Sequence, residues 1–274
     1  MKQLLALMGE LEFYFKVAFF CAIVQQFFHF ILEAIELNFI AEVALYWLVG
    51  SISFYSIGFF IEKVIKRNTA LKEKLAIRVQ PIREQVFPAF TIQGILFGEF
   101  KAFTSAFIIL SLTPEVHRSD NFILNTEWFL MQIAVADFFF YIAHYSLHKN
   151  KFLRKQHLKH HEFQDTSSFV AGHKTLFEYI MVTVCDLLPV FIFGYDITQL
   201  CAWTIVGNAY NLEAHSSLSL FFVPSDFHDL HHTSFQGNYG IQGLWDRFLG
   251  TLNPSVRRQG ILFPVSFLEK KFMN

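Results

Sequence analysis

The chain has 274 residues, of which 53 % are hydrophobic, 16 % are charged and 36 are phenylalanine, an apolar excess that a water-soluble domain of this length does not need. A formal net charge of −1, with no basic tail or aromatic-interleaved basic patch, excludes a polyanionic partner, and nucleic acid is set aside. Cys21, Cys185 and Cys201 stand far apart within apolar runs, which excludes a cysteine zinc site or disulfide framework and reads as small buried hydrophobes in reducing surroundings.

The N-terminus lacks a short apolar core followed by a small-residue cleavage site, so no removable signal peptide is expected and the first span itself would direct insertion. Four stretches are long and apolar enough to cross a bilayer, which takes about 20 such residues per helix. They run approximately from Phe13 to Leu32, Phe39 to Phe60, Phe90 to Leu112 and Phe122 to Tyr145. The third carries Glu99 and Lys101 in its middle, which must pair, face the bundle or snorkel; a kinked or re-entrant segment is an alternative there.

Positive charge follows the inside rule. Lys63, Lys66, Arg67, Lys72, Lys74, Arg78 and Arg83 lie between the second and third spans, and Lys149, Lys151, Arg154, Lys155 and Lys159 follow the fourth. The link after the first span holds Glu33 and Glu36 without Lys or Arg, and the link from Glu115 to Glu127 is mildly acidic. Both termini and the region after the fourth span are therefore expected to face the cytosol. Lys270 and Lys271 resemble a dilysine retrieval signal set one position too far from the end.

Beyond Lys149 two apolar stretches remain, Phe177 to Phe193 and Ile197 to Tyr210, the first interrupted by Asp186 and Pro189 and the second by Asn208. They are expected to be helices packed against the bundle or lying in the interface, rather than a further hairpin of spans. The predicted fold class is all-α: an integral membrane bundle of about four spans, residues 1–121 carrying the first three with a cytosolic linker. Residues 122–274 would supply the fourth span and a cytosolic helical cap.

The cap is rich in histidine. His144 and His148 form HxxxH; His157, His160 and His161 form HxxHH; His228, His231 and His232 form a second HxxHH, with His173 and His215 between. On a helix the positions i, i+3 and i+4 share a face, so each HxxHH is expected to present its imidazoles in one direction. At this chain's histidine frequency one HxxHH arises by chance roughly 0.02 times. Imidazoles gathered without a cation would leave donors and acceptors unmatched and repel on protonation. His29 and His117, away from the clusters, read as ordinary polar residues.

So many nitrogen donors suggest two metals with about five ligands each or fewer, since structural zinc takes four and is usually completed by cysteine. Two irons fit best, because the site adjoins a lipid phase and attack on an unactivated carbon–hydrogen bond takes redox chemistry that zinc lacks. Asp137, Tyr141, His144 and His148 share one stripe of the fourth helix, and Asp137 is placed to accept an imidazole N–H and orient it. Asp229 and Asp246 are candidate acceptors of the same kind, and Gly237 to Gly240 read as a turn.

The segments Asp137 to His148 (DFFFYIAHYSLH), His157 to Phe163 (HLKHHEF), Asn211 to Ser216 (NLEAHS) and Phe227 to Thr251 resemble the fatty acid hydroxylase and sterol desaturase superfamily. Within it they are most similar to the branch of the C4-methylsterol oxidases and cholesterol 25-hydroxylase. The resemblance covers residues 125–252; the first 120 residues match only in being paired spans. It implies a cytosolic cap holding two irons, with dioxygen as co-substrate, and hydroxylation, desaturation or demethylation of a lipid, a sterol or a fatty acyl chain. It further implies an outside electron donor such as cytochrome b5 with its reductase, and residence in the endoplasmic reticulum membrane. Carried over by position, the implied ligands are His144, His148, His157, His160, His161, His173, His215, His228, His231 and His232. Two positions depart from the pattern: Ser219 stands where many relatives have a second histidine after His215, and Lys174 where they commonly have proline. Those departures support a competing reading, a non-catalytic metal-holding subunit of a larger membrane assembly. A zinc hydrolase using Glu162 or Glu178 as base leaves most of the imidazoles unexplained.

Overall fold

The computed structural model describes residues 2–77, 92–163, 167–223 and 226–256; Arg78, Arg83, Phe90, Lys270 and Lys271 lie outside the described residues. The described chain is all-helical: α1 (Lys2–Leu32), α2 (Phe39–Phe59, prolonged by a π-helical turn Phe60–Ile65), α3 (Thr69–Leu75), α4 (Ile92–Leu112), α5 (Phe122–Lys149), α6 (Lys151–His157), α7 (Leu176–Asp186), α8 (Leu188–Phe193), α9 (Ile197–Ala214), α10 (Phe227–Ser234) and α11 (Leu244–Leu249). Extended pairing among the described residues is confined to the isolated bridges Ala76–Leu218 and Glu115–Tyr195.

The segments Leu7–Leu32, Phe39–Ile65, Ile92–Leu112 and Phe122–Lys149 are helical, long and apolar enough to cross a membrane. Their outer faces carry the apolar excess: Phe30, Ile52 and Leu112 are 80 %, 62 % and 71 % exposed, a pattern that suits acyl chains and not water. Helix starts are set by short polar side chains that accept the first orphan N–H groups. Asn38 accepts from Ala41, Asn121 from Ile123 and Leu124, and Asp196 from Thr198 and Gln199.

α4 is one uninterrupted helix over its described length, and its charges face inward. Glu99 Oε2 accepts from Trp47 Nε1 at 2.7 Å and Ser51 Oγ at 2.6 Å on α2, while Lys101 is buried.

The apolar stretches after the histidines pack against the bundle, the first of the two placements expected for them, and neither is among the four described segments long and apolar enough to span. α7 with α8, broken at Leu187, and then α9 form a hairpin along the bundle. Its tip meets the end remote from the histidines: Tyr195 OH donates to Glu42 Oε2 at the start of α2 at 2.7 Å, and Tyr195 pairs through its backbone with Pro114 and Val116 in the α4–α5 link. α9 packs between α1 and α2 and contributes Leu200, Trp203 and Val206 to the same core as Phe13, Val17 and Phe129. Its polar residues are matched inside, Asn208 donating to Gly50 O and Ser53 Oγ, and so an interrupted apolar run can be buried.

The first helix is bound to the last. Arg247 on α11 forms a two-pronged pair with the fully buried Glu10 on α1, at 3.1 Å from Nε and 2.8 Å from Nη2. Described residues on both sides of position 121, among them Phe13, Val17, Phe129 and Trp203, contribute to one core.

Candidate metal centre

Asn150 ends α5 and starts α6. Its N–H donates to Ser146 O, and its side chain accepts from Phe152 N at 2.9 Å and Leu153 N at 3.2 Å. This tight corner turns α6 back so that His157 faces His144, with 3.1 Å between their Nε2 atoms. The chain then leaves the α-helix after His157 and makes a 3-10 turn at His160–Glu162, so the first HxxHH is not one regular helix. The second lies on α10, which ends at Phe235 in a left-handed conformation (φ 57°).

Nine of the ten expected histidines converge in two groups, in each of which the facing nitrogens lie within 4.8 Å of one another. One group holds His144, His148, His157, His161 and His231; the other holds His160, His215, His228 and His232. Each HxxHH is thus divided, contrary to the expectation of one shared direction. Its i and i+4 rings enter one group and its i+3 ring the other, with the allotment reversed between the two boxes. About 100° of turn per residue separates i+3 from i+4 enough to address two neighbouring centres.

The geometry is that of a ligand set. In the first group Nε2 atoms are separated by 3.1 Å (His144–His157), 2.9 Å (His157–His161), 3.2 Å (His161–His231) and 3.1 Å (His148–His231). In the second the separations are 3.2 Å (His160–His215), 2.9 Å (His215–His228) and 3.1 Å (His228–His232). Two nitrogens at right angles about an ion ~2.1 Å away stand about 3.0 Å apart. Neutral imidazoles cannot all donate to one another around such a ring, so lone pairs face lone pairs unless a cation lies between them.

The opposite ring nitrogens fix the tautomers. Nδ1 donates from His144 to Tyr239 O at 2.8 Å, from His157 to Glu178 Oε1 at 2.9 Å, from His215 to Asn211 O at 2.7 Å and from His231 to Gly237 O at 2.8 Å. Each such bond leaves Nε2 free to coordinate. Burial, reinforced by neighbouring imidazoles, holds His157, His160, His228 and His232 well below the ordinary histidine range. Burial likewise pushes His161 down to about 2, His215 to about 3 and His231 to about 4. The neutral form, the one that binds metals, is therefore the form the fold selects.

His173 stands outside both groups: its Nε2 donates to Glu162 Oε2 at 2.9 Å. Ser219 is buried in the turn after α9, its N–H donating to Leu75 O and its hydroxyl to Val223 O, and the group that contains His215 has four nitrogens against five.

Two of the acids expected to touch imidazoles, Asp137 and Asp246, accept from backbone N–H groups behind the rings. Asp137 accepts from the Tyr14 hydroxyl and from Ile241 N, and Tyr141 OH meets Thr251 Oγ1 at 3.1 Å. Asp246 accepts from Tyr239 N, Gly240 N and Thr251 Oγ1, thereby positioning the carbonyl that takes His144 Nδ1. Asp229 accepts from Ser217 Oγ at 2.8 Å beside His215. Gly237 shapes the turn that serves His231: at φ 73° a Cβ there would stand 2.3 Å from Thr251 O. Sequence reasoning assigned no orienting role to Glu178 and none to the carbonyls of Asn211, Gly237 and Tyr239. Glu178 had one local signal, its place three residues after Thr175, whose hydroxyl accepts from Glu178 N as a helix cap.

A cavity of about 390 Å³ opens between α2, α4, α7 and α9 and is lined at one end by His144, His157, His160, His215 and His228.

Residues 129–251 match the fatty acid hydroxylase family model. Fatty acid hydroxylase domain-containing protein 2 of Homo sapiens is 30 % identical over 134 residues, covering 46 % of this chain and 39 % of that protein. Methylsterol monooxygenase 1 of Gallus gallus is 27 % identical over 128 residues, 43 % of each chain, and that of Danio rerio 25 % over 128 residues, 43 % of this chain and 44 % of its own. Each of these matches spans less than half of the relative's length. No solved structure matches. Over residues 129–251 the chain is therefore similar to the fatty acid hydroxylase family and, among curated proteins, to methylsterol monooxygenases.

Proposed function

We propose that the chain is an oxygen-dependent di-iron membrane oxidase that hydroxylates, demethylates or desaturates a lipid, a sterol or a fatty acyl chain. One observation carries this reading: two adjoining sets of neutral imidazole nitrogens, spaced as ligands about an ion, lie at one end of a cavity between the helices. His144, His148, His157, His161 and His231 would hold one iron, and His160, His215, His228 and His232 the other. When bound, two irons supply the reduction of dioxygen and the removal of hydrogen from an unactivated carbon. Around them the chain's own groups fix the orientation of four rings: Glu178 and the carbonyls of Asn211, Gly237 and Tyr239 keep Nδ1 protonated on His157, His215, His231 and His144 respectively. The helices exclude water from the cavity and align the lipid carbon with the Nε2 side of the rings.

Two of the four electrons that reduce dioxygen must come from outside the substrate, and cytochrome b5 with its reductase is the donor the family resemblance implies. The basic residues after α5 support a cytosolic histidine face, and the methylsterol monooxygenase relatives an endoplasmic reticulum address.

The test is iron content together with oxygen consumption on a lipid extract, followed by lipid profiling of cells carrying wild type or His231→Ala. Expected are bound iron, lipid-dependent uptake, and an accumulating substrate in the variant. Iron without lipid-dependent uptake would favour instead the non-catalytic subunit that the four-nitrogen group and Ser219 suggest.

A further inference from the structure

Lys101 sits midway along α4, is 6 % exposed, and lines the cavity. A lysine facing lipid would snorkel to a surface; this one points into the bundle, where an ammonium without a counter-ion is costly. Its Nζ stands 5.0 Å from the ring centroids of both Phe97 and Tyr179, whose faces favour a cation but do not fill its three donors. Among the described residues no carboxylate lies within ion-pairing distance of it.

Of the acids that line the same cavity, Glu99 accepts from Trp47 and Ser51 and Glu178 accepts from His157 through Oε1, while Glu178 Oε2 has no hydrogen-bond partner among the described residues. Lys159 and Lys174 line the cavity with Lys101, as do Glu99, Glu178 and Asp186. A buried ammonium without an ion-pair partner among the described residues, set in a largely apolar chamber, suits a ligand with an apolar tail and an anionic head.

We propose that the cavity binds a single-chain lipid through an anionic head group, carboxylate or phosphate, that pairs with Lys101. The inference rests on the lipid oxidase reading for the nature of the tail, and on the buried cation alone for the head. The volume, about 390 Å³, is at the small end of ligand pockets and fits one chain rather than two. A neutral alcohol would leave the ammonium unmatched, so the site discriminates by head-group charge.

The test is binding to the purified full chain in nanodiscs, using hexadecanoate, hexadecyl phosphate and hexadecanol, with wild type, Lys101→Met and Lys101→Arg. Expected is tighter binding of at least one anion than of the alcohol, on the order of tenfold or more, with the preference kept in Lys101→Arg and lost in Lys101→Met. Which anion prevails names the head group. Lys101→Met removes a cation that has no ion-pair partner among the described residues and is expected to melt no lower than wild type without ligand, which guards against a folding artefact. Equal binding of the alcohol, or a preference that survives in Lys101→Met, would overturn the proposal. Anion preference in a protein that consumes no oxygen on any lipid would leave this site standing while removing the oxidase reading.

Discussion

His157 is held from both sides of its ring, with Nε2 directed at the nitrogens of His144 and His161 and Nδ1 donating to Glu178, which is 1 % exposed. A carboxylate behind a metal-bound imidazole raises its basicity and locks its orientation, and loss of such a partner typically costs about 10–100-fold in metal affinity. Glu178→Gln retains an acceptor of the same shape without the charge. It is expected to lower iron affinity of the purified protein by about tenfold, with helix content unchanged. Unaltered affinity in a competition titration against a chelator would remove Glu178 from the centre. None of this could be read from residue type alone, because the partners of Nδ1 at His144, His215 and His231 are backbone carbonyls, which no side chain advertises. Asp137 shows the converse: its spacing on the His144 stripe suggested an imidazole partner, but its partner is Tyr14, 123 residues away, a contact set by packing of α1 on α5.

At the level of elements, the four spans were legible because apolar runs of bilayer length have few other uses, and the histidines because i, i+3, i+4 spacing is local. The division of each HxxHH between two centres was not, since it depends on the Asn150 corner and the 3-10 turn after α6. The hairpin of α7, α8 and α9 was legible as helices packed on the bundle because Asp186, Pro189 and Asn208 interrupt its hydropathy, but the partners that match Asn208 from within, Gly50 and Ser53, were not. α1, which lies outside the matched residues 129–251, is bound to them through Glu10 and Arg247, whose side chains are 0 % and 25 % exposed. Arg247→Ala would leave the Glu10 carboxylate buried without its cation and should destabilise by on the order of 2–3 kcal/mol. Glu10→Gln in the same chain should recover much of that loss. Thermal melts in one detergent check both, and an additive double variant would mean that the pair does not couple α1 to α11.

Over the whole molecule, the histidine cap couples protons to folding, and a metal bound there would join that coupling. In the metal-free chain burial keeps these imidazoles neutral, with His161, His215 and His231 near 2, 3 and 4, whereas in the unfolded chain each titrates near 6.5. The folded pKa lies below the unfolded one, so the unfolded state binds more protons as the pH falls beneath about 6.5. Stability is therefore fully present above that value and declines as the pH drops towards the folded values, by about 1.4 kcal/mol per pH unit for each such ring. A metal that binds only the folded, neutral set opposes the same protons and adds stability by mass action. Melting temperatures measured from pH 8 to pH 5, before and after chelation, should show the chelated protein lower throughout and falling as the pH drops beneath about 6.5. The loaded protein should hold its melting temperature to a lower pH before releasing iron. A chelated form whose melting point stays level across that range, or climbs on acidification, would mean that the imidazoles are not held neutral by the fold, and the two nitrogen sets would then have to be accounted for without a metal.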